Sequence, residues 1–159
     1  MDSQSLPSEK LSPVLSGVAG EYFVAAELSR RGHLASITLR NTKGVDIICS
    51  NSDASKSGAI QVKANRGSKR YWVLSQKSED YFADNLFYVF VNLNGDDTPP
   101  DYFIVPSKDV AEHVRDNHAA WLSAPGRDGA AHNDSAIRKF SDLGERYLRR
   151  WDLLELSGP

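Results

Sequence analysis

Apolar residues recur in this chain with two periods. Between residues 12 and 31, Leu15, Val18, Ala19, Tyr22 and Ala26 form a stripe at helical spacing. Ser12 suits the cap of that helix, Pro13 its first turn and Gly32 its end. Shorter runs then alternate or stay apolar, as strands do. Residues 33–40, 45–50, 59–64 and 102–105 read this way, and 71–74 reads as a short extension of the same sheet. Residues 86–92 are almost continuously apolar, which predicts a strand covered on both faces. Turns and loops fall at 41–44, 51–58, 94–100 and 124–134, where Asn, Asp, Ser and Gly collect. A short helix is expected at 78–84 and a longer one from Ser107 to about residue 117. Helical additions are expected over 135–157, where Phe140, Leu143, Tyr147 and Trp151 recur at helical spacing. The predicted order is α-β-β-β-α-β-β-α with C-terminal helices, an α/β fold whose central mixed sheet is flanked by helices.

Composition narrows this. A chain of 159 residues makes one domain, here residues 12–159 with a core over about 14–117. The polar start, residues 1–11, reads as a mobile tail and lacks the apolar core of a signal peptide. The net charge of -2 means that any nucleic-acid site is a local patch rather than the whole surface. The lone Cys49 excludes an internal disulfide and a cysteine zinc site, and it reads as a buried thiol. A reducing cytoplasm fits that reading. No apolar run approaches the ~20 residues that span a bilayer, so no membrane partner is expected. The four histidines, His33, His113, His118 and His132, have no zinc-ligand spacing. No phosphate-binding glycine loop or nucleophile elbow occurs, so no organic cofactor is expected.

The chemistry sits on two short runs, Gly-Val-Asp-Ile-Ile-Cys-Ser at 44–50 and Ala-Ile-Gln-Val-Lys-Ala-Asn at 59–65. Residues alternate faces along a strand, so Asp46 opposes Val45 and Ile47, while Gln61 and Lys63 share one face and Ile60 and Val62 the other. If the two strands pair antiparallel, a carboxylate, an amide oxygen and an ammonium converge. That trio suits a divalent cation held beside a phosphate. A carboxylate inside an apolar strand is costly unless paired or metal-bound. The segment from Lys56 to Lys77 adds Arg66, Lys69 and Arg70, with Asn65 among them, and carries no acid. It is the local cationic patch that phosphate-backbone binding requires.

The order of helix, strand with Asp46, strand with Gln61-Val62-Lys63, helix and strand resembles the PD-(D/E)xK nuclease superfamily. That superfamily includes restriction endonucleases, Holliday junction resolvases and repair nucleases, and the resemblance covers about residues 14–105. It implies a restriction-endonuclease-like α-β-β-β-α-β core and Mg2+-dependent hydrolysis of DNA phosphodiesters, with Mn2+ able to substitute. By the same resemblance Asp46, Gln61, Glu21 and the Val62 backbone carbonyl are metal ligands, and Lys63 faces the scissile phosphate. Gln61 stands where most members have Asp or Glu. Glu21 is preferred to Glu27 as the helical acid, because Val18, Ala25 and Leu28 border it, whereas Glu27 can pair with Arg31.

A metal-dependent endonuclease acting on DNA is therefore the leading expectation, with RNA open. A chain this small, if active, reads DNA structure, works as a homodimer or relies on a partner. The other reading is a non-catalytic module, binding nucleic acid or a protein on a degenerate nuclease fold. Gln61 favours that module. Asp46, Lys63 and Glu21 together favour catalysis, because acids beside phosphate repel it unless a cation bridges them.

Overall fold

The computed structural model describes residues 11–39 and 43–157. The expected tail, residue 11 aside, and the turn residues Asn41 and Thr42 lie outside those residues. Helix α1 spans Pro13–Arg30, with Pro13 in its first turn and the Leu15 N–H donating to Ser12 Oγ at 3.2 Å. Gly32 follows it at φ +86°, a conformation that favours glycine. Strands β1 (Leu34–Ile37), β2 (Ile47–Ser50), β3 (Ser57–Asn65) and β4 (Tyr71–Ser75) come next. A 3-10 turn at Gln76–Glu79 leads to β5 (Leu86–Asn92), β6 (Asp101–Pro106) and α2 (Ser107–Ser123). The chain continues through β7 (Ile137–Ser141) to a second 3-10 turn at Trp151–Leu154.

Five strands form a mixed sheet in the order β1-β2-β3-β5-β6, with β3 and β5 parallel and all other neighbours antiparallel. The expected antiparallel pairing of β2 with β3 is present. Two layers cover the sheet. Val24 and Leu28 of α1 pack with Ile47, Ile60, Val62 and Val89 on one face. Trp72, Phe90, Phe103, Val110 and Phe140 fill the other, beneath α2 and a β4–β7 ribbon. The Trp72 indole N–H donates to the Val91 carbonyl, which satisfies the one polar atom of that buried ring. Every residue of β5 is buried, as its unbroken apolar run predicted.

Several expectations need correction. β4 does not extend the main sheet but pairs with β7 in the separate ribbon. The helix expected at 78–84 is the 3-10 turn Gln76–Glu79. The C-terminal helices over 135–157 are replaced by β7 and the turn Trp151–Leu154. In β7 the buried residues are Arg138 and Phe140 while Ile137 and Lys139 are exposed, a period of two. Asp142 then accepts the backbone N–H groups of Arg146 and Tyr147, which fixes a turn where a helix would need carbonyl acceptors. Glu145 and Arg149 both take positive φ, so no helix passes through them.

The face of α1 also differs. Ser16, Gly20, Val24 and Leu28 point inward, whereas Leu15 and Tyr22 of the expected stripe are 55% and 66% exposed. Gly20 explains this. A Cβ there would lie 2.8 Å from Ala64 Cβ and 3.3 Å from Val62 Cγ1. The helix backbone rests directly on β3 at Gly20, and Leu15 and Tyr22 are left outside.

His113, on α2, accepts the Ser141 N–H at Nε2 (3.3 Å) and lies 4.7 Å from the Phe140 ring. Burial holds its pKa below the ordinary value, against the opposing pull of Asp142 and Asp116. Protonation at Nε2 would remove the acceptor. The unfolded chain binds that proton more readily, so this residue's contribution is intact above pH ~6.5 and declines as pH falls from there towards the lower folded value. Melting temperatures measured from pH 7.5 to 5.5 should fall for the native chain and fall less steeply for His113→Gln. Equal slopes would mean that His113 is not responsible.

Candidate active site

The site begins at the turn between β1 and β2. Thr38 clamps it: its hydroxyl donates to the Val45 carbonyl at 2.7 Å and its N–H to the Asp46 carbonyl at 2.9 Å. Asp46 stands just before β2, not inside it as the alternation suggested. Its N–H donates to the Ile60 carbonyl at 2.8 Å, although Ile47 is the register partner of Ile60. Two residues thus oppose one, the geometry of a bulge, which turns a side chain out of the ladder. Asp46 Oδ2 accepts the Val62 N–H at 2.7 Å. The half-buried carboxylate takes the place of a ladder carbonyl, which holds it at the gap where β2 ends against β3.

On β3, Gln61 pairs in register with Tyr88 and Lys63 with Phe90. Both therefore look towards the aromatic layer, away from α1. They form one wall of a cleft of about 420 Å³, with Tyr88 beside them. Lys77 and Tyr81, on and after the 3-10 turn, line the same cleft, as do Lys43 and Gly44 from the turn before β2. Asp46 is two residues along the chain from Gly44. Burial, and then the nearby Tyr81, push the Tyr88 hydroxyl up to about 12. The structure thus brings Asp46, Gln61 and Lys63 to adjoining positions and adds Lys77 in the cleft. Glu21 is half-buried on α1 and follows Gly20, which rests on the Val62–Ala64 face. It is carried on the side of β3 opposite Lys63.

The basic segment does not stay together. Lys56 precedes the start of β3, seven residues and therefore roughly 23 Å from Lys63, and its Nζ donates to the Ser157 carbonyl. Asn65 uses its amide N–H groups on the Tyr71 carbonyl (2.9 Å) and on Asn92 Oδ1 (3.3 Å). Asn92 in turn donates to the Lys69 carbonyl, so the two amides clamp the loop between β3 and β4. Arg66 lies beside Asn94 and Thr98 instead of the cleft. Arg70 pairs with Glu145, and the Lys69 and Lys139 ammoniums stand 5.6 and 5.3 Å from the centre of the exposed Tyr71 ring. Lys77 alone of the outer patch lines the cleft.

Lys43, Tyr81 and Tyr88 were missed from the sequence. Tyr88 had a signal: it alternates with Phe90 on the face that Gln61 and Lys63 share. Lys43 and Tyr81 come from turns, and only the tertiary fold brings them here. Among the described residues, no group of three or more His, Cys, Asp or Glu side chains could hold a metal ion. The donors present are one carboxylate anchored through one oxygen, one neutral amide and a backbone carbonyl. That set fits a hard cation keeping most of its water, as Mg2+ does, and does not fit a fully protein-coordinated ion.

No protein-family model matches the chain, and no curated protein matches it. Among the solved structures that resemble it are two with named activities. A bacterial homing endonuclease, I-Ssp6803I, aligns with a TM-score of 0.54 at 12% identity over 91% of this chain and 94% of that one. A Holliday junction resolvase from the archaeal hyperthermophile Archaeoglobus fulgidus aligns with a TM-score of 0.46 at 14% identity over 79% and 84%. The chain has the restriction-endonuclease-like nuclease fold of the homing endonuclease. At this identity the likeness speaks for the fold alone.

Proposed function

We propose that the chain is a divalent-metal-dependent endonuclease that hydrolyses DNA phosphodiester bonds. The observation that carries this reading is the anchoring of Asp46 on the Val62 N–H, beside Gln61 and Lys63 on one face of β3. Asp46, Gln61 and the Val62 carbonyl would hold Mg2+, or Mn2+ in its place; Glu21, carried on the other side of β3, is left out of that set. Such an ion supplies Lewis-acid polarisation of the phosphate and activates water. The protein's own contributions follow from placement. The Val62 N–H fixes the Asp46 rotamer, so no reorientation is needed when substrate arrives. The Lys63 ammonium stabilises the charge that develops on the phosphoryl oxygens as water attacks phosphorus and the ester bond breaks. Lys77 and Lys43 hold the strand by its phosphates and carry no sequence information.

A second reading is a nucleic-acid-binding module without catalysis, favoured by the neutral Gln61 where an acid is commoner. Incubation of the purified chain with supercoiled, linear and branched DNA separates the two. Cleavage in Mg2+ that stops with chelator, and stops in Lys63→Ala while DNA binding persists, supports the nuclease. Binding without cleavage in either Mg2+ or Mn2+ supports the module. For the nuclease, Gln61→Glu restores a ligand charge, and the Mg2+ concentration giving half activity should drop about tenfold, ~1.4 kcal/mol. An unchanged midpoint would remove Gln61 from the ion.

A further inference from the structure

We propose that the cleft beside Lys63 is a nucleotide subsite. It takes a single unpaired nucleotide, with the base and sugar against Leu74, Tyr81 and Tyr88 and the phosphate among Lys43, Lys63 and Lys77. In cleavage this role rests on the nuclease reading above, which it deepens by naming unpaired strands as the substrate.

Three observations carry it. The first is size. The cleft measures about 420 Å³, within the ~300–1,000 Å³ range of small-molecule pockets, a size that suits one nucleotide. The second is the combination of linings. A surface that only follows a duplex backbone needs charge, since phosphate contacts position the duplex without reading it. Here three lysines line the cleft together with two tyrosines and a leucine, and no carboxylate lines it among the described residues. Apolar and aromatic walls under cationic groups suit a base taken out of its stack, because a base presents a π-face and a sugar-phosphate does not. The third is that Gly44 packs closely against the Tyr81 ring. Gly44 has φ +73°, and a Cβ there would stand 2.5 Å from Tyr81 Oη and 2.6 Å from its ring carbon Cζ. Only glycine lets the turn close against that ring without moving it. Tyr88 lines the cleft, and its phenol O–H can donate to a phosphate or a base edge.

The test is calorimetric titration of the whole chain with dAMP, dTMP, deoxyribose 5-phosphate and inorganic phosphate. Both mononucleotides should bind at least about tenfold more tightly than the two probes without a base. Tyr81→Ala and Lys77→Ala should each weaken dAMP binding about tenfold or more. Lys77 is exposed, so its variant keeps the test valid should the Tyr81 variant fail to fold. In cleavage, single-stranded flaps should be cut in preference to intact duplex, and dAMP should compete. Equal affinity for phosphate and dAMP, or full dAMP affinity in Lys77→Ala, overturns the subsite. Mononucleotide binding without any DNA cleavage leaves the subsite standing and removes the nuclease reading. DNA cleavage without mononucleotide binding does the reverse.

Discussion

Asp46→Asn should lower DNA cleavage by about a thousandfold while the melting temperature stays within about 2 °C of the native value. The first part follows from charge. A catalytic cation contributes several kcal/mol to the transition state, and each ~1.4 kcal/mol is a factor of ten in rate. The second part follows from the hydrogen bond that Asp46 Oδ2 accepts from the Val62 N–H. Asparagine keeps a side-chain oxygen for that bond, so β3 loses no partner at the gap. Asp46→Ala should behave differently, because it strands a backbone N–H at a cost of ~1–3 kcal/mol. The Ala variant should melt several degrees lower, since 1 kcal/mol shifts a domain of this size by about 2–4 °C. Cleavage by Asp46→Asn at the native rate would show that Asp46 serves the strand pairing only.

The largest stability loss should come from Phe140→Ala, about 3–5 kcal/mol by chemical denaturation. Its ring stacks on Phe90 at 4.5 Å and 3°, and it stands 6.1 Å from Tyr147 and 6.4 Å from Trp72. Leu143→Ala should change stability by less than about 0.5 kcal/mol, as exposed substitutions do. Phe140 is 1% exposed and Leu143 is 80% exposed. A C-terminal helix burying both at i and i+3 would make the two losses comparable, so the pair of measurements tests the strand β7 directly.

The parts of the fold that were legible in the sequence are those set by local chemistry. Ser12, Pro13 and Gly32 bound α1 because capping, the missing proline N–H and positive φ are local requirements. The β2–β3 pairing was legible from parity, and β5 from an apolar run too long for a one-sided strand. What was lost depends on partners distant in sequence. The stripe of Leu15 and Tyr22 has helical spacing, yet which face goes inward was decided by the approach of Gly20 to Ala64. The spacing of Phe140, Tyr147 and Trp151 matches a helix, but Asp142 and two left-handed residues break the backbone between them.

At the site, alternation gave Gln61 and Lys63 one face and set Asp46 against them, although Asp46 arrives through a bulge and not through the strand. The cationic segment was read as one patch because its residues are close in sequence. A strand of nine residues carries its ends far apart, which separates Lys56 from Lys77. Lys43 joins Lys77 in the cleft from the other side of the sequence motif, and no local pattern announces it.

In the nuclease proposed above, Asp46 and Gln61 hold a divalent cation beside the cleft. A crystal of the protein grown or soaked with Mn2+, with anomalous scattering recorded at the manganese edge, tests this most directly. One anomalous peak is expected between the Asp46 carboxylate and the Gln61 amide oxygen, absent in crystals of Asp46→Asn. A fully occupied peak elsewhere on the chain, or none in a protein that cleaves DNA under the same conditions, would contradict it.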